Sequence, residues 1–199
     1  MSMRVINWEE YTSPNCSLLT ANCSLAVTIG VFDGVHLGHQ ALIRRICSPP
    51  ASPPPLPTVV TFRQNPLKTL MPSAFPGDIL SLEQKLGIME ALGVQLAVLI
   101  DFTEKFSRIN GRDFVGLLLD SRPVKLIALG RNFRCGHGLD TGVGEIQGMA
   151  EARGVEIWIA QPVMDEGQPV SSSRIRQALA AGRKSEAERL LARSIESPL

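Results

Sequence analysis

Two histidines three positions apart, His36 and His39, stand in a glycine-rich turn. The stretch reads Ile29-Gly30-Val31-Phe32-Asp33-Gly34-Val35-His36-Leu37-Gly38-His39. The apolar run Leu25–Ile29 before it has the character of a buried strand, and Gln40–Ile46 after it has helical spacing. Strand, glycine turn and helix start, in that order, suit an anion. Glycine lets the backbone come close to a ligand. A helix N-terminus adds free N–H groups and a partial positive charge, which fit phosphate. His36 and His39 lie one helical turn apart there, so both can face the same phosphates. Ordinary surface histidines have the same spacing. A metal pair would need a third ligand at suitable spacing, and none stands nearby.

A second segment with the same chemistry is Val170-Ser171-Ser172-Ser173-Arg174-Ile175-Arg176, which opens a helical pattern that runs to Gly182. One serine is enough for an N-cap. Three hydroxyls and two guanidinium forks go further and suit the β- and γ-phosphates of a nucleotide. Arginines in a first helical turn oppose the dipole, so an anion should compensate them. Being two apart, they do not share a helix face, and one should matter more than the other. The plain alternative is a capped surface helix. Asp165–Gln168, just before, reads as a mobile loop able to close over a ligand.

Two further segments follow apolar strands. Thr58–Phe62 runs into Arg63-Gln64-Asn65-Pro66, and Leu129-Gly130-Arg131-Asn132-Phe133-Arg134-Cys135-Gly136-His137 offers glycines, arginines and an amide suited to a nucleotide loop. Cys135 and His137 have no further matching ligand for a metal.

The elements that must position these residues alternate. Strand patterns cover Arg4–Trp8, Leu25–Gly30, Pro57–Phe62, Val94–Ile100, Val124–Leu129 and Val155–Ala160. Helical patterns cover Gly38–Cys47, Leu82–Leu92, Arg112–Asp120 and Gly142–Arg153. Ser81 and Gln84 form a capping box for the second helix, and Gly93 ends it. The alternation predicts a doubly wound parallel sheet in an α/β fold, with ligands beyond the strand C-termini. The His turn, Thr61-Phe62 and Gly130 should then converge. The proline-rich stretch Ser48–Pro57 reads as a surface connection, neither helix nor interior strand.

Composition sets the bounds. A chain of 199 residues with 44% hydrophobic content predicts one domain, or at most a domain with an appendage, with a sizeable core. A net charge of +1 gives no field that would gather nucleic acid or acidic membrane. Aromatics at 5% argue against a base-stacking platform. The four cysteines form no C-x-x-C pair and read as reduced thiols. No leader-like or membrane-length apolar run is present, so a cytoplasmic protein with no obligate protein partner is expected.

The string Gly-x-Phe-Asp-Gly-x-His-x-Gly-His resembles the H-x-G-H signature of the nucleotidyltransferase superfamily, in the form found in the adenylyltransferase module of bacterial FAD synthetases. The resemblance runs from about residue 20 to residue 193, with Ser171–Arg176 similar to the superfamily's Ser-Ser-Thr-x-Ile-Arg motif. Departures are Gln64 for a usual proline, Asn65 for a frequent histidine, Cys135 for a phenylalanine, Thr141 for a common lysine and Ser173 for threonine. The resemblance implies a Rossmann-like nucleotidyltransferase fold and transfer of AMP from ATP to FMN, giving FAD and pyrophosphate, without the riboflavin kinase domain. It implies catalytic roles for His36, His39, Asn132 and Arg174. ATP would meet Gly30, Phe32, Asp33, Gly34, Ser171, Ser172, Ser173 and Arg176. FMN would meet Phe62, Asn65, Pro66, Phe133 and Arg134. Magnesium is expected as the ATP complex; Asp33 would help place it or cap the turn as a buried carboxylate. A sibling transferase on another phosphate, and a flavin- or nucleotide-binding protein of weak turnover, remain alternatives.

Overall fold

The computed structural model describes residues 2–14, 16 and 23–195. Its central sheet is built from β1 (Arg4–Asn7), β2 (Leu25–Ile29), β3 (Leu56–Phe62), β4 (Leu96–Ile100), β5 (Val124–Gly130) and β6 (Glu156–Ala160). The spatial order is β1-β4-β3-β2-β5-β6, and every neighbouring pair runs parallel. The expected α/β doubly wound sheet is therefore present. The strand order reverses between β2 and β5, so the ligand crevice of such a fold lies beyond their C-terminal ends.

β2 and β4 are buried at every position, which is why they read as unbroken apolar runs. Their side chains still alternate between faces. Leu25, Val27 and Ile29 pack with Phe114 and Leu118 of α3 (Gly111–Ser121) and Ile146 of α4 (Val143–Glu151). Ala26 packs the other way, with Leu42, Ile43 and Ile46 of α1 (Leu37–Cys47) and Met89 of α2 (Leu82–Ala91). The capping box at α2 is formed: Gln84 N–H donates to Ser81 Oγ, and Ser81 N–H to Gln84 Oε1. A third apolar cluster joins α5 (Ser172–Ala180) to α6 (Lys184–Leu191). Among the described residues, no helix is long and apolar enough to cross a membrane.

Two expectations need correction. Pro57 belongs to β3, an interior strand. Its carbonyl accepts from Gln95 N–H on the β4 side, but the β3–β4 ladder begins only at Thr58. The donor that proline lacks therefore has no ladder partner to lose. Asp165–Gln168 is a hairpin: Met164–Asp165 pairs antiparallel with Gln168–Pro169. Glu166 and Gly167 take φ of 51° and 77°, the two left-handed positions of a tight hairpin turn.

Candidate active site

The turn after β2 is held in an unusual backbone. Phe32, Gly34 and Val35 have φ of 54°, 83° and 41°. Glycine accepts this freely; a buried phenylalanine and a β-branched valine do not, and such strain gathers at functional sites. The turn delivers His36 as the N-cap of α1, where its Nδ1 accepts the His39 N–H at 3.4 Å. That acceptor role fixes a neutral His36 with its proton on Nε2. The two rings stack at 3.7 Å between centroids and 17° between planes. Gly38 eases the stack, since a Cβ there would lie 3.1 Å from the His36 ring and press on it.

Burial pulls the His36 imidazole down to about 4, and the Arg193 charge adds to this. Burial likewise holds His39 well below its usual range, helped by His36 and Lys85. Both rings are therefore neutral hydrogen-bonding groups at neutral pH. His39 Nδ1 is a buried atom without a hydrogen-bond partner among the described residues. An incoming phosphate would satisfy it and favour the protonated ring. In the free protein, the His36 and His39 ring resonances should not titrate between pH 5.5 and 8, measured by NMR. His36 binds its proton less readily folded than unfolded, so its stability contribution is full above pH 6.5 and declines toward about 4. His36→Gln should lose that decline, as read by thermal melts across the interval.

The first and last motifs meet. Ser172 Oγ donates to the Asp33 carbonyl at 2.8 Å, and Arg176 pairs with the Asp33 carboxylate. The other Asp33 oxygen accepts Ile79 N–H at 2.9 Å. Burial raises the Asp33 carboxyl, while the Ile79 N–H and Arg176 pull it back. Arg176 also reaches the Gly77 carbonyl, so it braces the turn against the 77–79 segment. Arg174 faces elsewhere: it bonds Asp165 at 2.6 Å and Glu186 at 3.1 Å, tying α5 to the hairpin and α6. The anions expected to offset these arginines are thus carboxylates of the chain itself. Ser171 caps α5 by accepting Arg174 N–H, and Ser173 stands exposed.

Sequence reasoning missed Lys85, which lies inside the helical pattern Leu82–Leu92 with no local signal of a special role. The side chain is 8% exposed. Its three donors are used within the fold: Nζ reaches the Phe62 carbonyl at 2.9 Å, Thr61 Oγ1 at 3.2 Å and the Val31 carbonyl at 3.4 Å. Thr61 Oγ1 donates in turn to the Val31 carbonyl at 3.1 Å. Lys85 therefore clamps the end of β3 to the start of the turn, which joins Thr61-Phe62 to the His turn as expected. Burial draws its ammonium down to about 8, against the favourable charges of Asp33 and Asp78. Lys85, Asp33, Asp78 and Asn65 line a cavity of about 30 Å³, far below nucleotide size.

The remaining expected residues fall around the same edge. Gly30 follows β2 and donates its N–H to Val60. Phe32 is fully buried, its ring centroid 5.0 Å from that of His39, so it backs the histidine stack from the core. Asn65 caps the helical turn Pro66–Leu70 with Pro66 at its first position. Phe62 lies edge-on to Phe102 at 5.6 Å. Asn132 is exposed in the turn after β5, and Phe133 packs partly against the core. Arg134 braces its own loop by donating to the Leu139 carbonyl at 2.7 Å. Burial first, then Asp140 and Glu145, pushes the Cys135 thiol up to about 12, which removes it as a nucleophile. Both Asp33 carboxylate oxygens are engaged, so the donor set here does not fit a directly bound magnesium.

The FAD synthetase family model matches residues 19–174. A bifunctional riboflavin kinase/FMN adenylyltransferase of Escherichia coli K12 is 31% identical over 166 residues, 83% of this chain and 53% of that protein. The protein of the same description from Listeria monocytogenes is 30% identical, covering 83% of this chain and 52% of its own length. The chain thus spans about half the length of these relatives. A crystal structure described as a macrolide-efflux protein from Streptococcus pneumoniae superposes with a TM-score of 0.82 at 26% identity, covering 96% of this chain and 62% of that one.

Proposed function

The chain belongs to the FAD synthetase family, and on that premise we propose that it is an FMN adenylyltransferase, joining ATP and FMN into FAD with release of pyrophosphate. The observation that carries the reading is the stacked neutral pair His36 and His39, on a strained turn at the switch point of the sheet, with a buried nitrogen left unpartnered among the described residues.

An FMN phosphate oxygen attacks the α-phosphorus of ATP, and the bond to the pyrophosphate leaving group breaks. The second pKa of a phosphate monoester is ~6, so the nucleophile is ionised near neutrality and no general base is needed. The site's work is to align two anions and offset charge as it moves to the leaving group. The His36 Nε2–H, the His39 ring and the first N–H groups of α1 serve the α- and β-phosphates. The exposed Ser173 hydroxyl serves the far phosphates, while Arg176, paired with Asp33 and bonded to the Gly77 carbonyl, holds the turn that presents the histidines to them. Asn132 orients a phosphate or ribose, while Phe62 and Phe133 flank the flavin. Magnesium supplies charge neutralisation on the ATP phosphates when it arrives with them.

The test is chromatography of the protein incubated with magnesium, ATP and FMN, with phosphopantetheine and nicotinamide mononucleotide as rival acceptors. FAD formed from FMN, with the rivals at background, is the expected result. Transfer to a rival alone, or FMN binding without turnover, overturns the reading.

A further inference from the structure

Residues after 174 lie outside the family match, yet the segment following α6 reaches back to the phosphate-facing turn. Arg193 donates from Nη2 to the Gly34 carbonyl at 2.7 Å and from Nη1 to the Val35 carbonyl at 3.4 Å. Gln40 of α1 locks the same joint, with Nε2 bonded to the Val35 carbonyl at 3.1 Å and the Leu191 carbonyl at 2.9 Å. With Ser172 on the Asp33 carbonyl, three successive carbonyls of the turn each take a side-chain donor from outside it. These bonds fall where the backbone needs them. Gly34 and Val35 have φ of 83° and 41°, and Val35 is fully buried. Glycine takes its angle freely, but a β-branched valine at φ 41° is strained, and such strain persists only when the surroundings over-determine it.

Arg193 also differs from its neighbours in charge pairing. Arg174 and Arg176 each face a carboxylate. Among the described residues, the guanidinium hydrogen bonds of Arg193 go to the backbone carbonyls of Gly34, Val35 and Leu191. It is a half-buried guanidinium laid directly on the turn, and its charge is felt at His36.

We propose that Arg193 is a positioning residue for adenylyl transfer: it holds the strained Asp33–His36 turn, and through it the His36–His39 stack, in the arrangement that receives phosphate. This rests on the function proposed above. A planar fork is what the role needs, since one guanidinium must meet two successive carbonyls from one side; an ammonium can satisfy only part of that geometry.

The test compares wild type, Arg193→Ala and Arg193→Lys by steady-state kinetics, thermal melting and histidine-ring NMR. Arg193→Ala should lower kcat about tenfold or more, as small misplacements of a reacting array do. The Michaelis constant for FMN should change little, because flavin contacts lie on other loops. The His36 and His39 resonances should move. Millimolar guanidinium should restore part of the rate and of the resonances, and Arg193→Lys should fall between. A variant with wild-type kcat and wild-type histidine resonances overturns the proposal. So does a loss of rate that only tracks the loss of folded protein and is not rescued by guanidinium. If wild type itself makes no FAD while Arg193→Ala still shifts the histidine resonances, the function reading fails and the positioning of the turn stands.

Discussion

Replacing His39 with alanine is expected to lower turnover of ATP and FMN ~10²-fold or more while FMN binding changes little, the usual cost of losing one preorganised donor. The ring sits on the first turn of α1, stacked 3.7 Å from His36 and backed by Phe32. It is held in place before any substrate arrives, so it adds no reorganisation at the moment of reaction. Burial keeps it neutral in the free protein, and in the proposed reaction the charge developing on phosphate would draw its hydrogen bond tighter. An interaction that strengthens only then should appear in kcat and in kcat/KM by similar factors. Steady-state kinetics with both substrates varied, beside a flavin fluorescence titration, separates the two effects. A variant with near wild-type kcat would remove His39 from the chemistry.

The largest stability effect is expected from Asp33→Ala, a loss of about 3–5 kcal/mol, the range for removing one partner of a buried ion pair. Asp33 is 7% exposed, and its carboxylate both pairs with Arg176 and accepts Ile79 N–H. Its removal strands a partly buried guanidinium and a buried amide at once. Asp33→Asn keeps an acceptor for Ile79 and should fall between wild type and alanine. Pairing Asp33→Ala with Arg176→Met should cost less than the two single losses added, because the stranded charge is gone. Denaturant unfolding reads wild type and the four variants. A loss under about 1 kcal/mol for Asp33→Ala would mean that the pair does not hold the turn.

The chemistry-bearing turn was legible because its information is local. Strand, glycines, histidines and helix start lie within fifteen residues, and each reports its own conformation. The sheet was legible for the same reason: β2 and β4 are buried on both faces, so they cannot hide their apolar runs. Pro66 after Asn65 likewise signals the helical turn Pro66–Leu70. What stayed hidden depends on chain segments meeting from a distance. Lys85 looks like any helical lysine until α2 docks and brings it to the Val31 carbonyl, 54 positions away. Arg176 and Asp33 are 143 positions apart, and no local pattern announces that they meet. The anion that the serine–arginine helix seemed to demand could have been substrate or protein. The fold answers with Asp165, Glu186 and Asp33. α6 did carry a signal, since Ala187, Leu190 and Leu191 recur at helical spacing and pack inward.

The central claim is that this chain joins the α-phosphorus of ATP to the phosphate of FMN. The most direct measurement follows the label from [α-³²P]ATP in the presence of magnesium and FMN, with pyrophosphate counted in the same reaction. The account predicts label in FAD, one pyrophosphate released per FAD formed, and a rate ~10²-fold lower for His39→Ala. Binding of both ATP and FMN with no label entering FAD would contradict it.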